Sequence, residues 1–258
     1  MSAPPLLEAG NLTLEVGGRC LVRDLGFCIR AGELWCMLGA NGAGKTTLLH
    51  TLVGLRTPQS GWVRLAGKAL AERPLGDAAR LRGFLPQTLH DAFSASALDS
   101  VMLGRHPHLA RWQWEGERER AIALAALEAL DLAGLAQRDV LTLSGGERQR
   151  VALAALLAQD APLLLLDEPV SHLDLRHQVQ VLAHLGKLAR ERGKGVLFTV
   201  HDLNLAARFA THALIFTPGG TVRQGRVGDA MTEAELWGAF GHRVARLEVA
   251  GRTIFVTE

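Results

Sequence analysis

Gly39-Ala40-Asn41-Gly42-Ala43-Gly44-Lys45-Thr46-Thr47 decides how the rest of this chain is read. The apolar run Leu34-Trp35-Cys36-Met37-Leu38 before it predicts a buried strand, and Leu48-Leu49-His50-Thr51-Leu52-Val53 after it predicts a helix. Strand, then G-x-x-x-x-G-K-T, then helix is the context in which this pattern is a phosphate-binding loop. Glycines let successive backbone N–H groups turn into one concavity, and the helix N-terminus adds partial positive charge. Gly39, Asn41, Gly42 and Gly44 form the candidate cradle, with Thr47 at its far end. Lys45 can reach the outer phosphates as a point charge, and Thr46 offers a hydroxyl to Mg²⁺. An ordinary glycine-rich turn would not need Gly39, Gly44, Lys45 and Thr46 all in register.

Upstream of the loop, residues 6–38 read as β structure. Leu12, Leu14 and Val16 alternate with polar neighbours, Gly17-Gly18 turns the chain, and Leu21-Val22 leads to Leu25-Gly26-Phe27-Cys28-Ile29. Ala31-Gly32-Glu33 is a second turn. The loop is therefore expected to emerge from a mixed sheet whose first part is antiparallel. Gly61-Trp62-Val63-Arg64-Leu65, closed by Gly67, predicts a further strand pairing, and Arg82-Gly83-Phe84-Leu85 a short strand running into a loop at Gln87.

Beyond Gln87 the character changes. Residues 97–104 and 117–137 carry Ala, Leu, Glu and Arg at helical spacing, with Pro107 and the pair Trp112 and Trp114 between them. This predicts an α-helical insertion between two parts of an α/β core. Ser144 and Glu147 then have capping-box spacing ahead of a helix running from Val151 to Gln159. Gly145 and Gly146 inside the first turn cost about 1 kcal/mol each relative to Ala. Close approach of an anionic group to bare backbone N–H groups explains them better than a cap alone.

Leu163-Leu164-Leu165-Leu166 reads as a strand buried on both faces, ending in Asp167-Glu168. Parallel sheets place ligands at the carboxyl ends of their strands. There Asp167 can hold Mg²⁺ through a water, and Glu168 can orient and deprotonate a water attacking the γ-phosphate. A long helix to about Arg192 precedes the apolar strand Gly195-Val196-Leu197-Phe198-Thr199-Val200, which His201 ends at the same ligand edge. His201 is read as a γ-phosphate contact. A helix over 202–210, a strand at Ala213-Leu214-Ile215-Phe216, a short helix from Glu233 to Phe240 and a hairpin-like tail complete the pattern.

Composition sets the bounds. The 258 residues, 48% of them apolar, suffice for one large α/β domain with a smaller subdomain. A formal net charge of +2 does not point to nucleic acid as a partner. Cys20, Cys28 and Cys36 lack any C-x-x-C pairing and read as small core hydrophobes in a reducing compartment. No run approaches the roughly 20 apolar residues of a membrane span, so membrane association is expected to come through a partner. His106 and His108 flank Pro107 without carboxylates or cysteines grouped beside them, which argues against a metal site.

In this order the motifs resemble those of the ATP-binding subunits of ABC transporters, over nearly the whole chain. The phosphate loop, a Q-loop at Gln87, Leu143-Ser144-Gly145-Gly146-Glu147, the strand ending in Asp167-Glu168, Ser171-His172-Leu173-Asp174 and His201 follow one another as in that family. The likeness implies a P-loop NTPase core of mixed sheet with an antiparallel β subdomain, over residues 1–87 and 161–258. An inserted helical subdomain over 88–160 would complete a single ABC ATPase domain, 1–258. It implies ATP and Mg²⁺, with Gln87 in both the catalytic set and the metal shell beside Thr46 and Asp167. It also implies a homodimer in which Ser144, Gly145 and Gly146 bind the γ-phosphate in trans and Asp174 couples the two sites. Two transmembrane permease subunits, an external substrate-binding protein and a place at the cytoplasmic face of the inner membrane follow from the same likeness.

Gly104-Arg105-His106-Pro107-His108, Leu173-Asp174-Leu175-Arg176-His177-Gln178 and Val200-His201-Asp202-Leu203-Asn204-Leu205-Ala206 look like the branch that imports ferric siderophores, haem and cobalamin. The ending from Phe240-Gly241 to Arg252 favours cobalamin over the other two. A soluble ABC ATPase acting in assembly is the rival from another class, whereas a P-loop kinase or GTPase has no use for the 143–147 segment. Two departures stand out. Glu147 replaces the more usual glutamine. Val16 occupies the place where relatives stack adenine on an aromatic side chain, a contact worth about 0.5–1.5 kcal/mol beyond burial.

Overall fold

The computed structural model describes residues 4–88, 93–110 and 116–257, so the Trp112 and Trp114 pair lies outside the described residues. Strands β1 (Leu7–Val16) and β2 (Arg19–Ile29) form an antiparallel pair turned at Gly17-Gly18. Strand β3 (Leu34–Leu38) leads into helix α1 (Lys45–Leu52), followed by β4 (Ser60–Leu65), β5 (Lys68–Ala69), α2 (Leu75–Leu81) and β6 (Arg82–Leu85). Helices α3 (Ala97–Met102), α4 (Glu117–Glu128) and α5 (Gly145–Gln159) come next, with a 3-10 turn at Leu103–His108 after α3. Then β7 (Leu163–Leu166), α6 (Leu175–Arg192), β8 (Gly195–Thr199), α7 (Leu203–Phe209), β9 (His212–Phe216) and β10 (Val222–Arg226) follow. Short helices α8 (Val227–Ala230) and α9 (Glu233–Phe240) precede the terminal hairpin of β11 (Val244–Val249) and β12 (Arg252–Thr257).

The strands divide between a mixed sheet and an antiparallel β subdomain, as the family resemblance implies. Strands β2-β1-β4-β5 make one antiparallel sheet, and β10-β9-β3-β8-β7-β6 make another that is parallel except for β10 at its edge. The nucleotide loop thus leaves the second sheet, not a continuation of the first. The turn at Ala31-Gly32-Glu33 carries the chain from one layer to the other.

Alternate residues of the central strands feed two separate cores, because side chains along a strand point to opposite faces. Leu34, Cys36 and Leu38 of β3 join Leu164, Leu166, Val196 and Phe198 on the face covered by α3 to α7. Trp35 and Met37 join Leu163, Leu165, Leu197 and Phe216 on the face covered by the antiparallel sheet and α1. Burial on both faces is why these strands read as unbroken apolar runs. Helices α3, α4 and α5 share the first core with the sheet, so they are packed on it, not cored on their own.

Because β6, β7, β8 and β3 are parallel neighbours, their carboxyl ends lie side by side. Leu85 pairs with Leu166, Leu166 with Phe198, and Met37 with Thr199. The residues that follow each strand therefore converge on one edge. Among the described residues no helix is long and apolar enough to cross a membrane.

Candidate functional site: a nucleotide pocket at the sheet edge

The loop between β3 and α1 takes its shape from glycine geometry and from what packs behind it. Gly44 has φ 109° and caps α1 without a side-chain hydrogen bond. A Cβ there would lie 2.9 Å from Leu21 Cβ, so glycine lets β2 close against the loop. No acidic residue sits in the first turn of α1, leaving its N–H groups facing an open cavity of about 510 Å³. Asn41 to Thr47 line that cavity together with Gln87 and Glu168. Lys45 is buried at 7% exposure and its Nζ donates to the carbonyls of Gly39 (2.8 Å) and Ala40 (3.1 Å). Burial pushes the Lys45 ammonium below its ordinary value, while the carboxylates of Glu168 and Asp167 act in the opposite direction.

The ends of β7 and β8 supply the acids. Asp167 is 1% exposed, and its Oδ1 accepts from Thr199 Oγ1 at 2.8 Å. Its Oδ2 is buried with no hydrogen-bond partner among the described residues. A buried carboxylate oxygen without a donor calls for a missing cation or water, and hard oxygens of the Asp167 and Thr46 type suit Mg²⁺. Glu168 stands at φ 49°, in the left-handed region that costs an L residue about 1–2 kcal/mol. Its N–H donates to Thr199 Oγ1 at 2.5 Å, and its carbonyl accepts from Gln149 Nε2 and Ser171 Oγ. The strained backbone turns its carboxylate toward His201, whose Nε2 lies 2.9 Å from Glu168 Oε1.

Ser144, Gly145, Gly146 and Asp174 are absent from this cavity's lining among the described residues. Ser144 caps α5 as its spacing predicts. Its Oγ accepts from Glu147 N at 3.3 Å, and its N–H donates to Glu147 Oε2 at 2.8 Å. Gly146 has a reason within the chain, since a Cβ there would sit 3.1 Å from the His172 carbonyl. Gly145 meets nothing within 4 Å, so only for Gly145 does the argument from an approaching partner stand undiluted. Asp174 caps α6 through His177 N at 2.9 Å, and that bond holds its carboxyl below the usual range.

Three side chains escaped the sequence reading. Thr199, fully buried, ties Asp167 to Glu168, and the signal was a polar residue closing an otherwise apolar strand. Gln149 is 3% exposed and braces Glu168. Arg19 lines the cavity beside Val16, because the two pair across the Gly17-Gly18 turn. Strict alternation along β1 would bury Val16, but register shifts near Leu14 leave it 42% exposed at the cavity mouth. Cys36 is buried as expected, with its thiol pushed up to about 12, whereas Cys20 and Cys28 are only half-buried and belong to neither core. His108 has Nε2 2.7 Å from the Gln159 carbonyl.

A phosphate-loop cavity lined by Glu168, with His201 bound to that carboxylate from outside the lining, and an L-S-G-G-E cap turned elsewhere, narrows the comparison with known proteins. The sequence model of the ABC transporter family matches residues 22–171. The chain belongs to the ABC transporter family, as an ATP-binding subunit. This ABC ATPase is 43% identical over 248 residues to the hemin import ATP-binding protein HmuV of Deinococcus radiodurans, covering 94% of this chain and 93% of that one. It is 37% identical to the iron(3+)-hydroxamate import ATP-binding protein FhuC of Bacillus subtilis, covering 88% and 84%. The cobalamin import ATP-binding protein BtuD of Halobacterium salinarum is 38% identical, over 93% of this chain and 60% of that longer one. Among solved structures, an inward-facing transporter described as of metal-chelate type superposes with a TM-score of 0.85 at 29% identity, covering 99% and 98%. The ABC ATPase binds ATP and hydrolyses it in a reaction coupled to transport.

Proposed function

We propose that this ABC ATPase drives an importer of a bulky metal chelate, with haem as the first candidate cargo. The observation that carries the motor reading is the Glu168–His201 pair set against the phosphate loop. Glu168 accepts the proton of the attacking water, and His201 holds that carboxylate in place and meets the γ-phosphate side. Lys45 leaves the Gly39 and Ala40 carbonyls for the outer phosphates, a move to a stronger partner for a buried ammonium. Thr46, Asp167 and Gln87 would hold Mg²⁺. When bound, that ion supplies charge neutralisation on the phosphates. Thr199 and Gln149 keep the acids oriented.

Ser144, Gly145 and Gly146 serve a second nucleotide pocket, that of an identical partner, and Asp174 links the two. Their absence from the chain's own cavity supports this sharing, as does the dimeric solved cassette MJ0796, at a TM-score of 0.76 and 28% identity. The segment 88–160 acts as the helical arm of a single domain. A groove of about 450 Å³ lined by Pro86, Thr88, Leu103, Gly104 and Ala152 suits a docking helix from a permease subunit. Leu103, 67% exposed, offers the apolar contact. Two permease subunits would hold the dimer at the cytoplasmic face of the cell membrane, and an external binding protein would deliver cargo.

The full-length likeness to a hemin-import subunit supports haem. Cobalamin, favoured by the C-terminal ending, is the second reading. ATP turnover by the transporter reconstituted with its permease and binding protein tests both. Hemin should raise turnover severalfold over the cargo-free rate. Stimulation by cobalamin or a ferric hydroxamate without hemin would reassign the cargo, and no turnover with any cargo would overturn the motor reading.

A further inference from the structure

A second cavity, of about 340 Å³, opens where α4 and the end of α5 meet α6, and shares no lining residue with the nucleotide pocket. Among the described residues, four permanent cations line it, Arg105, Arg118, Arg192 and Lys194, against a single carboxylate, Asp160. That carboxylate is already engaged, since Lys194 Nζ lies 2.7 Å from Asp160 Oδ1. The acids next in sequence, Glu117, Glu119 and Glu191, do not line the cavity; Glu119 accepts from Gly116 N, and Glu191 pairs with Lys187.

Arg105 is the decisive residue. It is 6% exposed, and among the described residues it forms no ion pair and its buried Nε has no hydrogen-bond partner. One guanidinium nitrogen donates to the Ala158 carbonyl at 2.7 Å. The plain alternative is that Arg105 and Lys194 serve the carbonyl end of α5, which carries about half a negative charge. That end and Asp160 together offset little more than one of the four cations. Arg192 lies in the last turn of α6 and serves that helix's own carbonyl end, whereas Arg118, in the first turn of α4, has no such role. A buried guanidinium without a counter-charge is costly, and planar guanidinium groups are shaped to take phosphate or carboxylate oxygens in pairs.

We propose that this cavity is a binding site for a small multivalent anion carrying phosphate or carboxylate groups. A ligand there bridges α4 to α6 and so couples the helical arm to the sheet core. The volume lies at the lower end of the range for small-molecule sites, which suits a compact metabolite and not a nucleotide.

The test uses the full chain saturated with Mg²⁺ and a non-hydrolysable ATP analogue, so that the phosphate loop is filled. Inorganic phosphate and citrate are then titrated separately by calorimetry, distinguishing a phosphate from a polycarboxylate ligand. One saturable site per chain is expected for at least one probe. Replacing the two exposed arginines, Arg118→Gln with Arg192→Gln, should weaken it at least tenfold while the affinity for the ATP analogue is unchanged. Arg105→Lys keeps the charge, loses the planar fork, and should also weaken binding. Absence of saturation by both probes up to about 10 mM, the limit of useful affinity, overturns the proposal, as does binding that the double replacement leaves intact.

Discussion

Glu168 holds a backbone conformation that glycine or asparagine would adopt more readily, and it does so with its N–H on Thr199 and its carboxylate on His201. Strain kept by several hydrogen bonds marks a residue positioned for chemistry. Glu168→Gln should retain nucleotide affinity yet lower kcat by about 10²–10⁴, the range of general-base contributions. Lys45→Ala should act on binding instead, by roughly ten- to a hundredfold, since a hydrogen bond to a charged group contributes about 1.5–3 kcal/mol. Nucleotide titration and steady-state turnover on both variants separate the two roles. Turnover near the parent's in Glu168→Gln would remove Glu168 from the reaction. Both residues were legible because each sits in a local pattern, whereas Thr199 was not, its partners lying 31 and 32 positions away.

Helix α5 shows how an element can be legible in kind but not in its contacts. Its start was marked by Ser144 and Glu147, and the capping box forms as spelled. The tightest approach to its other end went unseen. Gly104, in the 3-10 turn after α3, lies so near α5 that a Cβ would fall 2.1 Å from the Ala155 carbonyl. Gly104→Ala should therefore force the two apart and cost about 1–3 kcal/mol, as overpacking does. Gly145→Ala, with nothing within 4 Å of the added methyl, should leave stability unchanged or raise it by up to about 1 kcal/mol. Urea midpoints at constant m-value compare the pair. Equal stability of the two variants would contradict the packing argument.

At the scale of the molecule, one chain presents a nucleotide loop and a Ser144 cap that do not share a cavity. Mg-ATP should convert the Glu168→Gln chain from monomer to dimer, because a pocket that binds without hydrolysing keeps the closed form populated. Ser144→Arg in that background should abolish the dimer while nucleotide binding persists, by placing a long side chain where the partner's γ-phosphate belongs. Sedimentation with and without Mg-ATP reads the outcome directly. An unchanged monomer population in the Glu168→Gln chain would count against sharing between chains.

The sequence by itself determined the phosphate loop, the apolar strands β3, β7 and β8, the capped start of α5, and the order of motifs that marks the family. Each of these rests on period, composition or a cap, which act within a few residues. The tertiary structure alone decided that β4 and β5 join β1 and β2 in the antiparallel sheet, and that Leu85, Leu166 and Thr199 end on one edge. It also decided that register shifts expose Val16 beside Arg19, and that Arg105, Arg118, Arg192 and Lys194 face one cavity. Those facts depend on which distant segments become neighbours, and pairing between strands and helices far apart in the chain is set by burial of whole faces, not by the local pattern of any one of them.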